Sequence, residues 1–162
     1  MNPNPQPFRI QEGGLDDPQV VALVEFHICA ARAQTEVGSA HAIGTSGLSA
    51  PGVRFWSAWD GDTLVGIGAL KKLSPDHGEI KSMHTAVQYR GRGVGSAMLN
   101  HIVAVAREMG ITCLSLETGS WDYFIPAHAL YRRHGFVECE PFGDYKADVN
   151  SLFFTLAVTD LD

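Results

Sequence analysis

What this 162-residue chain lacks narrows its function first. It has no basic excess: 12 lysines and arginines stand against 18 aspartates and glutamates, a net charge of −6. A general nucleic-acid or anionic-membrane surface carries the opposite imbalance, so neither partner is expected; a local basic pocket remains compatible with the total. Cysteine is scarce. Cys29, Cys113 and Cys139 are an odd set without C-x-x-C spacing, which argues against a disulfide framework or zinc site and for reduced thiols in a cytoplasmic protein. The histidines form no H-x-x-x-H pair, and no metal role is expected. No uncharged apolar run is long enough to span a bilayer. Residues 1–7, rich in Asn and Pro, lack the basic-then-apolar order of a secretion signal and are expected to form a flexible leader.

What the chain does have is the composition of a soluble globular protein, 45% hydrophobic and 19% charged. The length suits one domain, taken as residues 8–158, with no internal repeat. Phe8 to Gln11 reads as a short strand, and Asp16, Asp17 and Pro18 as the start of an apolar helix. The Gly- and Ser-rich segment 36–52 reads as a broken helix or long loop, a candidate substrate lid. Phe55 to Trp59, the turn Asp60-Gly61-Asp62, Leu64 to Leu70, a second turn at 73–78 and Glu79 to Val87 describe an antiparallel meander. Val94, Met98, Ile102, Val105 and Met109 then recur at helical spacing. Ile111 to Leu116 is an apolar strand, which implies a crossover and parallel pairing with the strand before the helix. A helical pattern from Trp121 through Tyr131, a short strand at Phe136 to Cys139 and a last strand at Leu152 to Val158 complete one mixed sheet flanked by helices.

Between the meander and the long helix lies Arg90-Gly91-Arg92-Gly93-Val94-Gly95-Ser96. Glycine lets backbone N–H groups approach a ligand, and the first N–H groups of a helix have no intrahelical partner. The helix dipole adds a preference for negative charge, so the stretch reads as an anion site for a phosphate or pyrophosphate. A plain Gly-rich turn is the alternative reading. The spacing is not G-x-G-x-x-G, and no G-x-x-x-x-G-K-S/T occurs, so neither a dinucleotide fingerprint nor a P-loop is present.

Two patterns carry a family resemblance. Arg90, Gly93 and Gly95 fill R/Q-x-x-G-x-G/A, and Ala127-His128-Ala129-Leu130-Tyr131-Arg132-Arg133-His134-Gly135-Phe136 fills A-x-x-L-Y-x-x-x-G-F. In this order, with a helix and a strand between them, they resemble the GNAT superfamily of N-acetyltransferases. Glu79 to Thr85, Leu116 to Gly119 and Pro141 to Tyr145 look like a bacterial subgroup of small members. The resemblance implies an α/β fold with a mixed antiparallel and parallel sheet of about six or seven strands and about four helices. It implies acetyl-coenzyme A as cosubstrate, its pyrophosphate on the amides of Arg90, Gly91, Arg92, Gly93, Val94, Gly95 and Ser96. Backbone groups of Met83, His84 and Thr85 would serve the pantetheine arm and the acetyl carbonyl. The reaction implied is direct acetyl transfer in a ternary complex to a primary amine of a small molecule, or less readily of a peptide or protein. A homodimer is compatible with the fold. The alternative is a non-catalytic acyl-coenzyme A binding or sensor module.

Such a transfer needs a base for the amine, donors for the oxyanion and a proton for the departing thiolate. By resemblance Tyr131 is the general acid. Glu79 is the first candidate base, with a carboxylate paired to Lys81 as the alternative reading; Glu117 and His84 follow. Arg132 and Arg133 are candidates for the 3′-phosphate. Phe124 stands where many family members have a coenzyme-contacting asparagine, and Ser120 or Asp122 are candidate replacements. For the acceptor site the candidates are His27, Glu36, His41, Trp59, Asp144 and Tyr145.

Overall fold

The computed structural model describes residues 8–33 and 44–158. The leader expected at residues 1–7, and Glu36 and His41 of the candidate lid, lie outside the described residues. Strand β1 (Arg9–Glu12) leads to helix α1 (Pro18–Ala33). Asp17 Oδ1 accepts the Gln19 amide at 2.8 Å, a side-chain cap, and Pro18 sits where a missing N–H costs nothing. The end of the candidate lid contains one helical turn, α2 (Thr45–Leu48), whose Leu48 is buried. The meander follows as β2 (Val53–Asp60), β3 (Thr63–Ser74) and β4 (His77–Thr85). Helix α3 (Val94–Glu108) and strand β5 (Cys113–Gly119) come next. The second helical pattern starts later than its sequence suggested: a 3-10 turn at Asp122–Phe124 precedes α4 (Ile125–Arg133). Strands β6 (Val137–Glu138) and β7 (Ser151–Ala157) close the chain.

These strands form a seven-stranded sheet in the order β1-β2-β3-β4-β5-β7-β6. Every neighbouring pair is antiparallel except β4 and β5, which α3 joins as a parallel crossover. The expected mixed sheet is therefore observed. The sheet buries a core on each face. Met98, Leu99 and Ile102 of α3 pack with Ile80, Leu114, Leu116 and Phe154. Val20 and Val24 of α1 pack with Phe55, Trp59, Leu64 and Ile67. α3 sits close because β3 has glycines beneath it: a Cβ on Gly66 would lie 2.7 Å from Val94 Cγ1, and one on Gly68 2.8 Å from Met98 Cγ.

Two irregularities of β4 position the site. Its register against β3 jumps from Ile67↔His84 to Ala69↔Lys81. Ser82 takes φ 57 at that bulge, which is costly for a residue with a Cβ. The extra residue lets Ile80 and Met83 both pack toward the α3 core, while His84 meets His27 of α1 on the other face. The second irregularity is a split. β4 and β5 pair only through His77↔Cys113, Gly78↔Leu114 and Glu79↔Ser115. Beyond Glu79 and Ser115 the parallel strands part, although β4 stays on β3 to Thr85 and β5 stays on β7 to Gly119.

Candidate active site

A cavity of about 510 Å³ occupies this split, within the size range of small-molecule sites. Its wall is formed by the β4 segment from Glu79 to Thr85 and by Glu117, Thr118 and Gly119 of β5. The Gly-rich loop and α4 close one side; His27, Ala30 and Tyr145 close the other.

The Gly-rich loop has the geometry of an anion cradle. A 3-10 turn at Val87–Tyr89 delivers Arg90 in extended conformation. Gly91 (φ 78) and Gly93 (φ 89) are left-handed, and Gly93 is the N-cap of α3. The Ala97 amide bonds to the Gly93 carbonyl at 3.0 Å, so the amides of Val94, Gly95 and Ser96 precede the intrahelical ladder. Among the described residues nothing lies within 4 Å of a Cβ placed on Gly91 or Gly93, an openness that suits a ligand on this backbone. Gly95 instead gives α4 room: its Cβ would stand 3.0 Å from Leu130 Cδ2. Arg90 and Arg133 also line the cavity. Open glycine backbone, a helix N-terminus and two cations fit a pyrophosphate. Arg92 is placed otherwise. Its guanidinium lies 5.0 Å from the centre of the Tyr89 ring, and it is exposed and outside the cavity wall. Arg132, too, is off the wall, 3.4 Å from Glu138.

Tyr131 is buried against Phe136 and Phe154 and lines the cavity. Burial, and secondarily the Glu117 carboxylate, push its phenol well above the ordinary tyrosine range, so it keeps its proton. Glu117, at the end of β5, accepts from Ser151 Oγ at 2.7 Å. His128 Nε2 donates to the Gly119 carbonyl at 2.7 Å, tying α4 to the tip of β5. Phe124 covers Gly119 so closely that a Cβ there would lie 2.1 Å from Phe124 Cε2. Phe124 thus lines the cavity, whereas Ser120 and Asp122 do not.

Glu79 is buried on the opposite side of the split. Its Oε2 accepts from the Tyr145 hydroxyl at 2.5 Å and from Lys81 Nζ at 3.2 Å, and Lys81 also donates to the Tyr145 hydroxyl at 3.1 Å. Glu79 is a cavity carboxylate paired with Lys81. Burial and the bond to Glu79 raise the Tyr145 phenol far above its usual range. His27 and His84 share a hydrogen bond between their Nδ1 atoms at 3.0 Å. Burial, aided by Lys81, lowers His27 to about 4; burial, aided by His27 and Arg90, lowers His84 to about 3. Both are neutral near pH 7.

Of the acceptor candidates, His27 and Tyr145 reach the cavity. Trp59 is a core residue whose Nε1 donates to Ser57 Oγ at 2.9 Å, and Asp144 is exposed and off the wall. Sequence reading missed the bulge at Ser82, the His128 tie and the bond between His134 Nε2 and Ser96 Oγ at 3.0 Å beside the cradle. It named Tyr145 without its partner. Lys81 had one signal, the i, i+2 spacing that puts it on the strand face of Glu79.

A cradle for a pyrophosphate on one side of a split sheet, a buried tyrosine in the wall and a carboxylate opposite suit acyl transfer from a nucleotide-bearing thioester. The family model of the acetyltransferase (GNAT) family matches residues 22–136. The chain belongs to this family. It is a GNAT N-acetyltransferase, dependent on acetyl-coenzyme A. It is 46% identical over 153 residues to YedL of Escherichia coli, an uncharacterized N-acetyltransferase, covering 94% of this chain and 96% of that one. It is 48% identical over 148 residues to YsnE of Bacillus subtilis, likewise an uncharacterized N-acetyltransferase, covering 91% and 98%. Its fold matches that of a GNAT family acetyltransferase from Elizabethkingia anophelis with acetyl-CoA bound, at a TM-score of 0.68, 15% identity and coverage of 94% and 99%. Among the described residues of this GNAT chain, no helix is long and apolar enough to cross a membrane.

Proposed function

We propose that the domain spanning residues 8–158 moves the acetyl group of acetyl-coenzyme A to a primary amine of a small molecule, directly and within a ternary complex. One observation carries this reading: a single cavity runs through the β4–β5 split from the Gly-rich cradle, past Tyr131, to Glu79. The acyl-CoA-binding side and the amine side share one cavity, so direct transfer needs no covalent intermediate on the protein. A cavity of about 510 Å³ favours a small acceptor over a folded protein surface.

In this reading the open amides at Gly91, Gly93, Val94, Gly95 and Ser96, with Arg90, hold the pyrophosphate. The Met83 to Thr85 backbone, re-aimed by the bulge at Ser82, lies along the thioester arm. Tyr131, protonated throughout the neutral range, donates to the departing sulfur. Glu79 takes the proton of the attacking amine. Glu117, which accepts from Ser151 Oγ, is the second candidate. His84, held at about pH 3, is too weakly basic to lead. The free thiols of Cys113 and Cys139 support a reducing, cytoplasmic location.

Release of coenzyme A thiol from acetyl-CoA, followed across a library of small primary amines, tests the reading. Amine-dependent release is expected. Tight acetyl-CoA binding with no release for any amine would instead favour a non-catalytic acyl-CoA binding module.

A further inference from the structure

Two donors meet on a single oxygen of Glu79. Oε2 accepts from the Tyr145 hydroxyl at 2.5 Å and from Lys81 Nζ at 3.2 Å. Lys81 Nζ also donates to the Tyr145 hydroxyl at 3.1 Å, which closes a triangle of three groups. A carboxylate oxygen offers about two acceptor sites, and on Oε2 both are taken. Oε1 accepts no hydrogen bond among the described residues. It is not walled in: the enclosed side-chain atoms left without a partner there are Ser82 Oγ, His84 Nε2 and His101 Nε2. Glu79, Lys81 and Tyr145 all line the cavity.

The members of the triangle arrive by different routes. Glu79 and Lys81 are two positions apart on β4, before the bulge at Ser82, and so share a strand face. Tyr145 comes from the loop after β6, where its ring packs 5.1 Å from that of Phe142 and 5.5 Å from that of Phe153. Its phenol is held far above the ordinary range by burial and by Glu79, so it keeps its proton and remains a donor. The Lys81 and Glu79 side chains are only 11% and 5% exposed. This separates them from surface ion pairs, whose geometry is loose and whose contribution is small. Two buried donors on one oxygen fix the plane of the carboxylate and leave Oε1 with the capacity to accept an N–H.

We infer that Lys81 and Tyr145 are positioning residues: by occupying Oε2 they orient Glu79 and present its Oε1 to the attacking amine. They act through Glu79 and are not themselves the base. The inference rests on the acyl-transfer reading and on Glu79 as its base.

Double-mutant cycles test it, with kcat measured at saturating acetyl-CoA for an amine that the parent protein acetylates. In the parent background Lys81→Met should lower kcat about ten-fold and Tyr145→Phe several-fold, with the KM for acetyl-CoA unchanged. Lys81→Arg, which keeps a cationic donor, should restore part of the loss. In the Glu79→Gln background each substitution should change kcat by less than about two-fold, because the group they orient is gone. The same loss in both backgrounds, or no loss in the parent, overturns the inference and leaves Glu79 as the base. If Glu79→Gln itself leaves kcat unchanged, the assignment of the base fails and the inference falls with it, while acyl transfer stands. If no amine turns over, both readings fail. Tyr145→Phe keeps the ring on Phe153, so its cycle decides the matter alone if Lys81→Met does not fold.

Discussion

The Tyr145 hydroxyl donates to Glu79 Oε2 at 2.5 Å across 66 residues of sequence. The loop that brings it there is pinned by aromatic packing of Phe142 and Tyr145 on Phe153 of β7. Removing the phenol would leave Lys81 Nζ, 3.2 Å away, on that oxygen. Glu79→Gln should lower kcat by about 10²–10⁴-fold, the usual contribution of a general base. Tyr145→Phe should lower kcat/KM for the amine by a smaller factor while leaving the KM for acetyl-CoA in place. An unchanged rate and pH profile in Glu79→Gln would clear that residue.

Tyr131 sits between the Phe136 and Phe154 rings, with a proton that burial makes hard to remove. Tyr131→Phe keeps the packing and deletes the donor. Steady-state kinetics should show kcat reduced on the order of 10²-fold with little change in acetyl-CoA affinity by calorimetry. Undiminished turnover would take Tyr131 out of the mechanism.

Gly93 and Gly119 need glycine for different reasons, and the difference is measurable. Gly93 is left-handed at φ 89 with open space in front of it. Gly93→Ala should therefore cost backbone strain of about 1–2 kcal/mol and raise the KM for acetyl-CoA by reshaping the cradle. At Gly119 the clash is with Phe124 at 2.1 Å. Gly119→Ala should destabilise by about 1–3 kcal/mol through overpacking and lower the melting temperature. Equal thermal shifts with unaltered KM in both variants would contradict this division.

His27 and His84 bind protons far less readily when folded, at about 4 and about 3, than at their ordinary 6.5. The unfolded chain therefore holds more protons than the folded one below pH 6.5. Stability is full above that pH and falls as the pH drops toward 4. Urea midpoints should decrease between pH 7 and pH 5, and His84→Gln should flatten the decrease. A midpoint independent of pH in this range would argue against the buried neutral pair.

The elements of the sheet were legible because each rests on a local pattern. The meander's β3 is a continuous apolar run between turns at Asp60-Gly61-Asp62 and Pro75-Asp76, and α3 repeats Val94, Met98, Ile102 and Val105. The cradle was legible for the same reason, since its glycines act through their own backbone angles. Less was legible at α4, where the 3-10 turn at Asp122–Phe124 delays a helix whose pattern begins at Trp121. Arg92 illustrates another limit. The motif names its amide, and only the structure places its guanidinium 5.0 Å from the centre of the Tyr89 ring.

The sequence alone determined the order of strands and helices, the Gly-rich helix start at residues 90–96 and the tyrosine in the second pattern, because these depend on residues close together in the chain. The tertiary structure decided what faces the acetyl group. The β4–β5 pairing stops after Glu79↔Ser115, and that divergence, set by the bulge and by partners on other strands, opens the cavity. Only there do His27 and His84, Glu79 and Tyr145, and Lys81 with both of the last two come within hydrogen-bonding distance. Apart from Glu79 and Lys81, two positions apart on one strand, these pairs join residues dozens of positions apart, and no local periodicity encodes a contact made across the face of a folded sheet.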